Sequence, residues 1–96
     1  MADRPGRDTE LFIEAARRGG ADARGGLLER YRPRLTRMVA VRLDRRLAAR
    51  VDPADVVQEA LLEAAARLDE YLRDPPIPFY PWLRRIAWDQ IGRAHV

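Results

Sequence analysis

Two groups of side chains in this sequence could do chemistry, and each lies on a predicted helix. The first is Asp55, Gln58, Glu59, Leu62, Glu63, Ala66 and Glu70. At about 100° per residue they share one side of a helix, and Val57, Ala60, Leu61, Ala64, Leu68, Tyr71 and Leu72 share the other, which must face a core. An acidic face with an apolar residue at its centre has two readings. One is a solvated surface carrying a stray leucine, since scattered surface apolar residues are ordinary. The other is a docking surface, with Leu62 as anchor and the carboxylates pairing with Arg or Lys of a basic protein. A recognition helix seated in a DNA groove is excluded on sign, because Asp55, Glu59, Glu63 and Glu70 would meet phosphates.

The second group follows Phe79. On the same wheel Phe79, Trp82, Leu83, Ile86 and Gln90 take one side, Tyr80, Arg84, Arg85 and Trp88 lie off it, and Trp88 is nearly opposite Phe79. A tryptophan beside two arginines, next to a stiff proline-rich loop, is a composition that stacks unpaired bases while holding their backbone. The alternative is that Trp88 packs on a neighbouring helix. Between these groups and the N-terminus, Arg30, Arg34 and Arg37 share a stripe that Arg42, Arg45, Arg46 and Arg50 extend, against one acid, Asp44. This segment either attracts nucleic acid or is neutralised by the protein's own acidic helix. No nucleophile stands beside a base, no glycine loop can cradle phosphate, Ser and Cys are absent, and His95, the sole histidine, has no second ligand in view. Neither catalysis, nor a metal, nor a cofactor is expected.

The elements that must position these residues fit one small domain of 96 residues, 47% hydrophobic and 34% charged, in the size range of a single folding unit. All 18 basic residues are Arg, and they are unevenly placed: residues 1–50 hold 13 Arg and 7 acids, residues 51–96 hold 5 Arg and 8 acids. A basic segment beside an acidic one suits partners of opposite character. No apolar run approaches the ~18 residues of a membrane span and the start does not read as a signal peptide, so a cytoplasmic location is expected.

An all-α bundle of about four helices is the expected fold, since no stretch alternates apolar and polar residues. After a flexible arm over residues 1–8, a first helix capped by Asp8 or Thr9 runs to Arg18, with Leu11, Phe12, Ala15 and Ala16 on its apolar side, and Gly19-Gly20 ends it. Asp22 opens a second segment with Leu27, Tyr31, Leu35 and Met38 as its buried stripe, and Pro33 forces a kink or a fresh start near Arg32. Asp52-Pro53-Ala54-Asp55 is a strong helix start, with Asp52 as cap and Pro53 in the first turn; that helix is expected to reach about Tyr71. A proline-rich loop over residues 72–78 leads into the last helix.

The run Asp55-Val56-Val57-Gln58-Glu59-Ala60-Leu61, followed by Phe79-Tyr80-Pro81-Trp82-Leu83-Arg84-Arg85-Ile86-Ala87, resembles region 2 of bacterial RNA polymerase sigma factors of the extracytoplasmic-function group. Leu27-Leu28-Glu29-Arg30-Tyr31-Arg32-Pro33-Arg34-Leu35 resembles the helix that precedes those motifs. The resemblance implies a transcription initiation domain. Asp55, Gln58, Glu59 and the neighbouring Leu62 would dock on the coiled coil of the beta-prime subunit of core polymerase. The loop over residues 72–78, with Phe79, Tyr80, Trp82, Arg84, Arg85 and Asp89, would melt the promoter −10 element and hold flipped non-template bases; Trp88, placed outward by helical spacing, is added to this expected DNA-binding set. Glu63 stands where that family commonly has a basic residue, Ala65 where it has an aromatic, and Asp89 where Asn is frequent. No segment for reading the −35 element follows in this chain, so alone it is expected to be a poor promoter-specific factor. A different class of function keeps the acidic docking face without DNA: an interaction module, for example a partner of an anti-sigma protein.

Overall fold

The computed structural model describes residues 7–94, without the side chains of residues 7, 8, 47 and 48. The N-terminal arm expected over residues 1–8 thus lies largely outside the described residues, as does His95. All regular structure among the described residues is helical: α1 (Arg7–Arg18), α2 (Ala21–Arg30), α3 (Arg32–Arg42), a single turn α4 (Arg45–Ala48), α5 (Pro53–Arg73) and α6 (Phe79–Ala94).

The expected count of about four helices is corrected to five long helices and one turn. The segment read as a kinked second helix is two helices. Pro33 has no amide hydrogen, and its ring would collide with the carbonyl four residues back, so the chain restarts instead of bending. Tyr31 forms the joint at φ −97° and ψ −3°, with its amide donating to Leu28 O at 3.1 Å. Pro33 then falls in the first turn of α3, where no amide donor is needed.

The start of α5 is as read: the Ala54 amide donates to Asp52 Oδ1 at 2.9 Å and Pro53 opens the helix. Two other caps are corrected. No side chain caps α2, whose N-cap is Gly20, and Asp22 sits within its first turn. Thr9 lies inside α1, buried, and its hydroxyl shares a 2.7 Å hydrogen bond with Tyr31 Oη. That long-range bond sets the rotation of α1. Thr9, Ile13 and Ala16 face inward, while Leu11 (62% exposed) and Phe12 (39%) face out, contrary to the expected apolar side. Gly19 permits the tight corner between α1 and α2, because a Cβ there would lie 2.8 Å from Ala15 O and 2.7 Å from Ala23 Cβ.

The core gathers on α5. Val57, Ala60, Leu61, Ala64, Leu68, Tyr71 and Leu72 are all buried, joined by Val56. They pack against α6, α3 and α2, with α1 laid on α2. Phe79 (1% exposed) and Trp82 (7%) belong to this core together with Leu83, Ile86, Ala87 and Ile91. The structure thus places Phe79 and Trp82, expected among the DNA contacts, within the core of the domain. Their rings are enclosed by other rings: Tyr71 lies 4.5 Å from Trp82 and 5.6 Å from Phe79, and Tyr31 lies 5.3 Å from Phe79.

Phe79→Ala should cost about 3–5 kcal/mol of folding stability, as large-to-small core changes do, whereas Trp88→Ala on the exposed side should stay within about 0.5 kcal/mol. Urea denaturation of both variants reads this directly, and equal losses would contradict the rotation of α6 described here.

Candidate functional site

Asp55, Gln58 and Glu59 are exposed on α5, one turn apart, and Leu62 beyond them is 55% exposed. Neither Asp55 nor Glu59 has an ion-pair partner among the described residues. Negative charge at the start of α5 also lies at the positive end of the helix dipole, which favours it there. The arrangement is an apolar anchor beside two uncommitted carboxylates.

Glu63, on the same side, is in a different state. It accepts from Arg67 Nη1 at 3.0 Å, Gln90 Nε2 at 3.0 Å and Arg93 Nη1 at 3.1 Å, tying α5 to the last turns of α6. The Arg93 hydrogen bond is the largest cause holding its carboxyl below the ordinary value; burial opposes it, and the Arg67 hydrogen bond adds to the lowering. An acid at position 63 thus has a partner set within the chain itself. Sequence reading placed Gln90 on the core side and did not foresee this clamp, since residues 63 and 90 are joined only by the packing of two helices.

On α6 the buried side obliges the opposite side to face out. Arg84, Arg85 and Asp89 are exposed and Trp88 is 50% exposed. Tyr80 is intermediate, stacked 5.8 Å from Tyr31. The Arg34 guanidinium lies 3.7 Å over the Tyr80 ring, and that of Arg42 lies 5.8 Å over Trp88. Residues 34 and 42 on α3 are eight apart, as are residues 80 and 88 on α6, about 12 Å along each axis. The two helices therefore run in the same direction here, with Arg84 between the two ring contacts. Trp88 does lean on a neighbouring helix, but through a cation on one part of its surface, and with Pro81, Arg84 and Arg85 it still lines an open groove of about 300 Å³. The Arg–ring pairing was not legible beforehand, because it depends on the register of α3 against α6.

The connection between α5 and α6 is shorter than expected, residues 74–78, since α5 continues through Arg73. The Tyr71 hydroxyl donates to Ile77 O at 2.7 Å, and burial raises its pKa, so it stays protonated as a donor. At the other end the Trp82 amide donates to Pro78 O at 3.1 Å. The loop is thereby held over a cleft of about 340 Å³ whose walls include Tyr71, Pro76, Trp82, Arg85 and Asp89. This cleft brings Arg85 and Asp89 together and leaves Arg84 and Trp88 on the adjoining groove.

The sequence matches the family model described as Sigma-70 region 2 over residues 27–95. That span covers most of the chain, which belongs to this family. It is a sigma factor region 2 domain, with a role in transcription initiation through core RNA polymerase and promoter DNA. Searches of curated proteins and of solved structures gave no significant match. Among the described residues no helix is long and apolar enough to cross a membrane.

The clamp on Glu63 has a pH signature. Its carboxyl is lowered on folding from the ordinary value of 4.5, so its contribution is complete above that value and disappears as pH falls through the lowered folded value. Glu63→Gln should cost about 0.2–1 kcal/mol at neutral pH, the range of solvent-exposed pairs, and the difference from the parent should shrink to nothing in strong acid. Thermal midpoints of the two proteins across the acid range measure it. A pH-independent offset would assign Glu63 no such role.

Proposed function

We propose that this chain is region 2 of an extracytoplasmic-function sigma factor that works in the cytoplasm. In this reading α5 docks on the coiled coil of the polymerase beta-prime subunit, while loop 74–78 and α6 open the promoter −10 element and hold non-template bases. The observation that supports it best is the separation of two exposed surfaces on successive helices. Asp55, Gln58 and Glu59 stand beside Leu62 on α5, and Arg84, Arg85 and Trp88 stand outward on α6.

Each residue has a physical part. Asp55 and Glu59 meet basic side chains of the coiled coil, Gln58 adds an amide hydrogen bond, and Leu62 fills an apolar contact at the centre, where water is excluded. Arg84 and Arg85 neutralise phosphates, and Trp88 and the free part of Tyr80 offer ring surface to unstacked bases. Flipping a base costs a few kcal/mol, and stacking on an aromatic side chain returns about 1–3 kcal/mol per base. Strand opening is therefore driven by binding, with no bond chemistry and no cofactor. Asp89, an acceptor at the cleft beneath the loop, suits an exocyclic amino group such as that of cytosine or adenine. Phe79 and Trp82 serve from the core as positioning residues, fixing the rotation of α6.

Charge reversal by Asp55→Arg with Glu59→Arg should weaken capture of a beta-prime coiled-coil fragment by about thirtyfold or more, the consequence of ~2 kcal/mol lost at an interfacial charge pair. Unchanged capture would refute the docking assignment. The domain should also bind single-stranded −10-like DNA with log K falling against log salt by about 0.7 per phosphate contacted. Absent or salt-insensitive binding with polymerase capture intact would instead identify a protein-interaction module, one whose basic partner on α5 could be an anti-sigma protein.

A further inference from the structure

Arg37, Arg42, Arg45, Arg46 and Arg50 are exposed at the C-terminal end of α3, on α4 and in the segment that follows. None of them forms an ion pair among the described residues. Three acids of the domain are engaged elsewhere: Glu29 holds Arg32 through two hydrogen bonds of 2.8 and 2.7 Å, Asp69 holds Arg24, and Glu63 holds Arg67 and Arg93. Asp44, the one acid within the segment, accepts from the Arg46 backbone amide at 2.8 Å and so serves as a local turn cap. Among the described residues no carboxylate of α5 forms an ion pair with these five arginines, which weighs against neutralisation by the acidic helix for this part of the segment.

We infer that these arginines form a track for the sugar-phosphate backbone of double-stranded DNA, adjoining the surface on α6 that the proposed function gives to separated strands. The inference rests on that reading for its placement. Arg42 supplies the continuity, since its guanidinium lies over Trp88 and its neighbours along the chain lead away from the aromatic groove. Chemistry selects the ligand. Residues 37–50 contain no aromatic side chain, so the segment has no ring platform for unpaired bases of the kind found on α6. Guanidinium groups alone suit a strand whose bases are already stacked within a duplex and whose phosphates are the accessible groups. An acidic protein would be attracted by the same charge, but through Arg42 the track runs into the aromatic surface that the proposed function gives to nucleic acid.

Three probes on the whole chain test this by fluorescence anisotropy over a salt series: a −10-like single strand, a blunt duplex, and a fork in which that duplex carries the single strand. The fork should bind more tightly than the single strand. Arg45→Gln with Arg46→Gln and Arg50→Gln should remove that gain, lowering the salt slope on the fork by about 0.9 for each duplex phosphate that is no longer neutralised, and leave single-strand affinity unchanged. Arg84→Gln with Arg85→Gln should do the reverse and weaken the single strand. Equal affinity of parent and triple variant for the fork overturns the track, and so does an equal loss on fork and single strand. If the parent fails on the single strand, the strand-opening reading falls. The track then stands or falls on whether the triple variant loses affinity for the blunt duplex. Unchanged circular dichroism of both variants excludes unfolding as the cause.

Discussion

The rotation of α6 is the constraint on which the rest of this structure depends. Phe79, Trp82, Leu83 and Ile86 are buried against α5 and the Tyr31 joint, and a helix that buries one side has no freedom over the other. Arg84, Arg85, Trp88 and Asp89 are exposed because those four are enclosed. The ring contacts of Tyr71 with both Phe79 and Trp82 strengthen the setting, and each such pair adds roughly 0.5–1.5 kcal/mol beyond area burial. Tyr71 also anchors the loop through Ile77 O. One buried side chain of α5 therefore positions both the helix and the loop that follow it.

Charge is distributed along the same lines. Acids that hold the domain together are paired, as Glu63 is with Arg67 and Arg93 across α5 and α6. Asp55 and Glu59, on the side of α5 proposed for docking, are exposed and have no ion-pair partner among the described residues. On the basic side Arg34 and Arg42 lie over Tyr80 and Trp88, so the face proposed for DNA is built from cations and rings in alternation rather than from cations alone. A sigma factor domain must grip a protein and a nucleic acid at once, and here the two surfaces differ in sign, in helix and in chemistry. Under the proposed assignment that difference would keep each partner off the other's site, because like charges oppose the wrong pairing.

Much of this was legible in the sequence, and the parts that were not share a cause. Asp52-Pro53 announced α5, its buried and exposed sides followed from helical spacing, and Pro33 announced a break, because each is a local property of the chain. The inner side of α1 was misread since it is chosen by Thr9 meeting Tyr31 Oη, a hydrogen bond between distant residues. Glu63 with Gln90 and Arg93, and Arg42 with Trp88, were invisible for the same reason: they depend on how two helices lie against each other. Phe79 and Trp82 were legible in one respect: periodicity placed them inward, and both are buried.

The two tryptophans allow the central claim to be tested in one optical experiment. Trp82→Phe leaves Trp88 as the only tryptophan, and Trp88→Phe leaves Trp82. On titration with a −10-like single strand, the protein retaining Trp88 should show strong quenching of its emission, as expected of a ring on which bases stack. The protein retaining Trp82, whose ring is closed in by Tyr71 and Phe79, should change little. Quenching confined to Trp82, with Trp88 indifferent to DNA, would contradict the account.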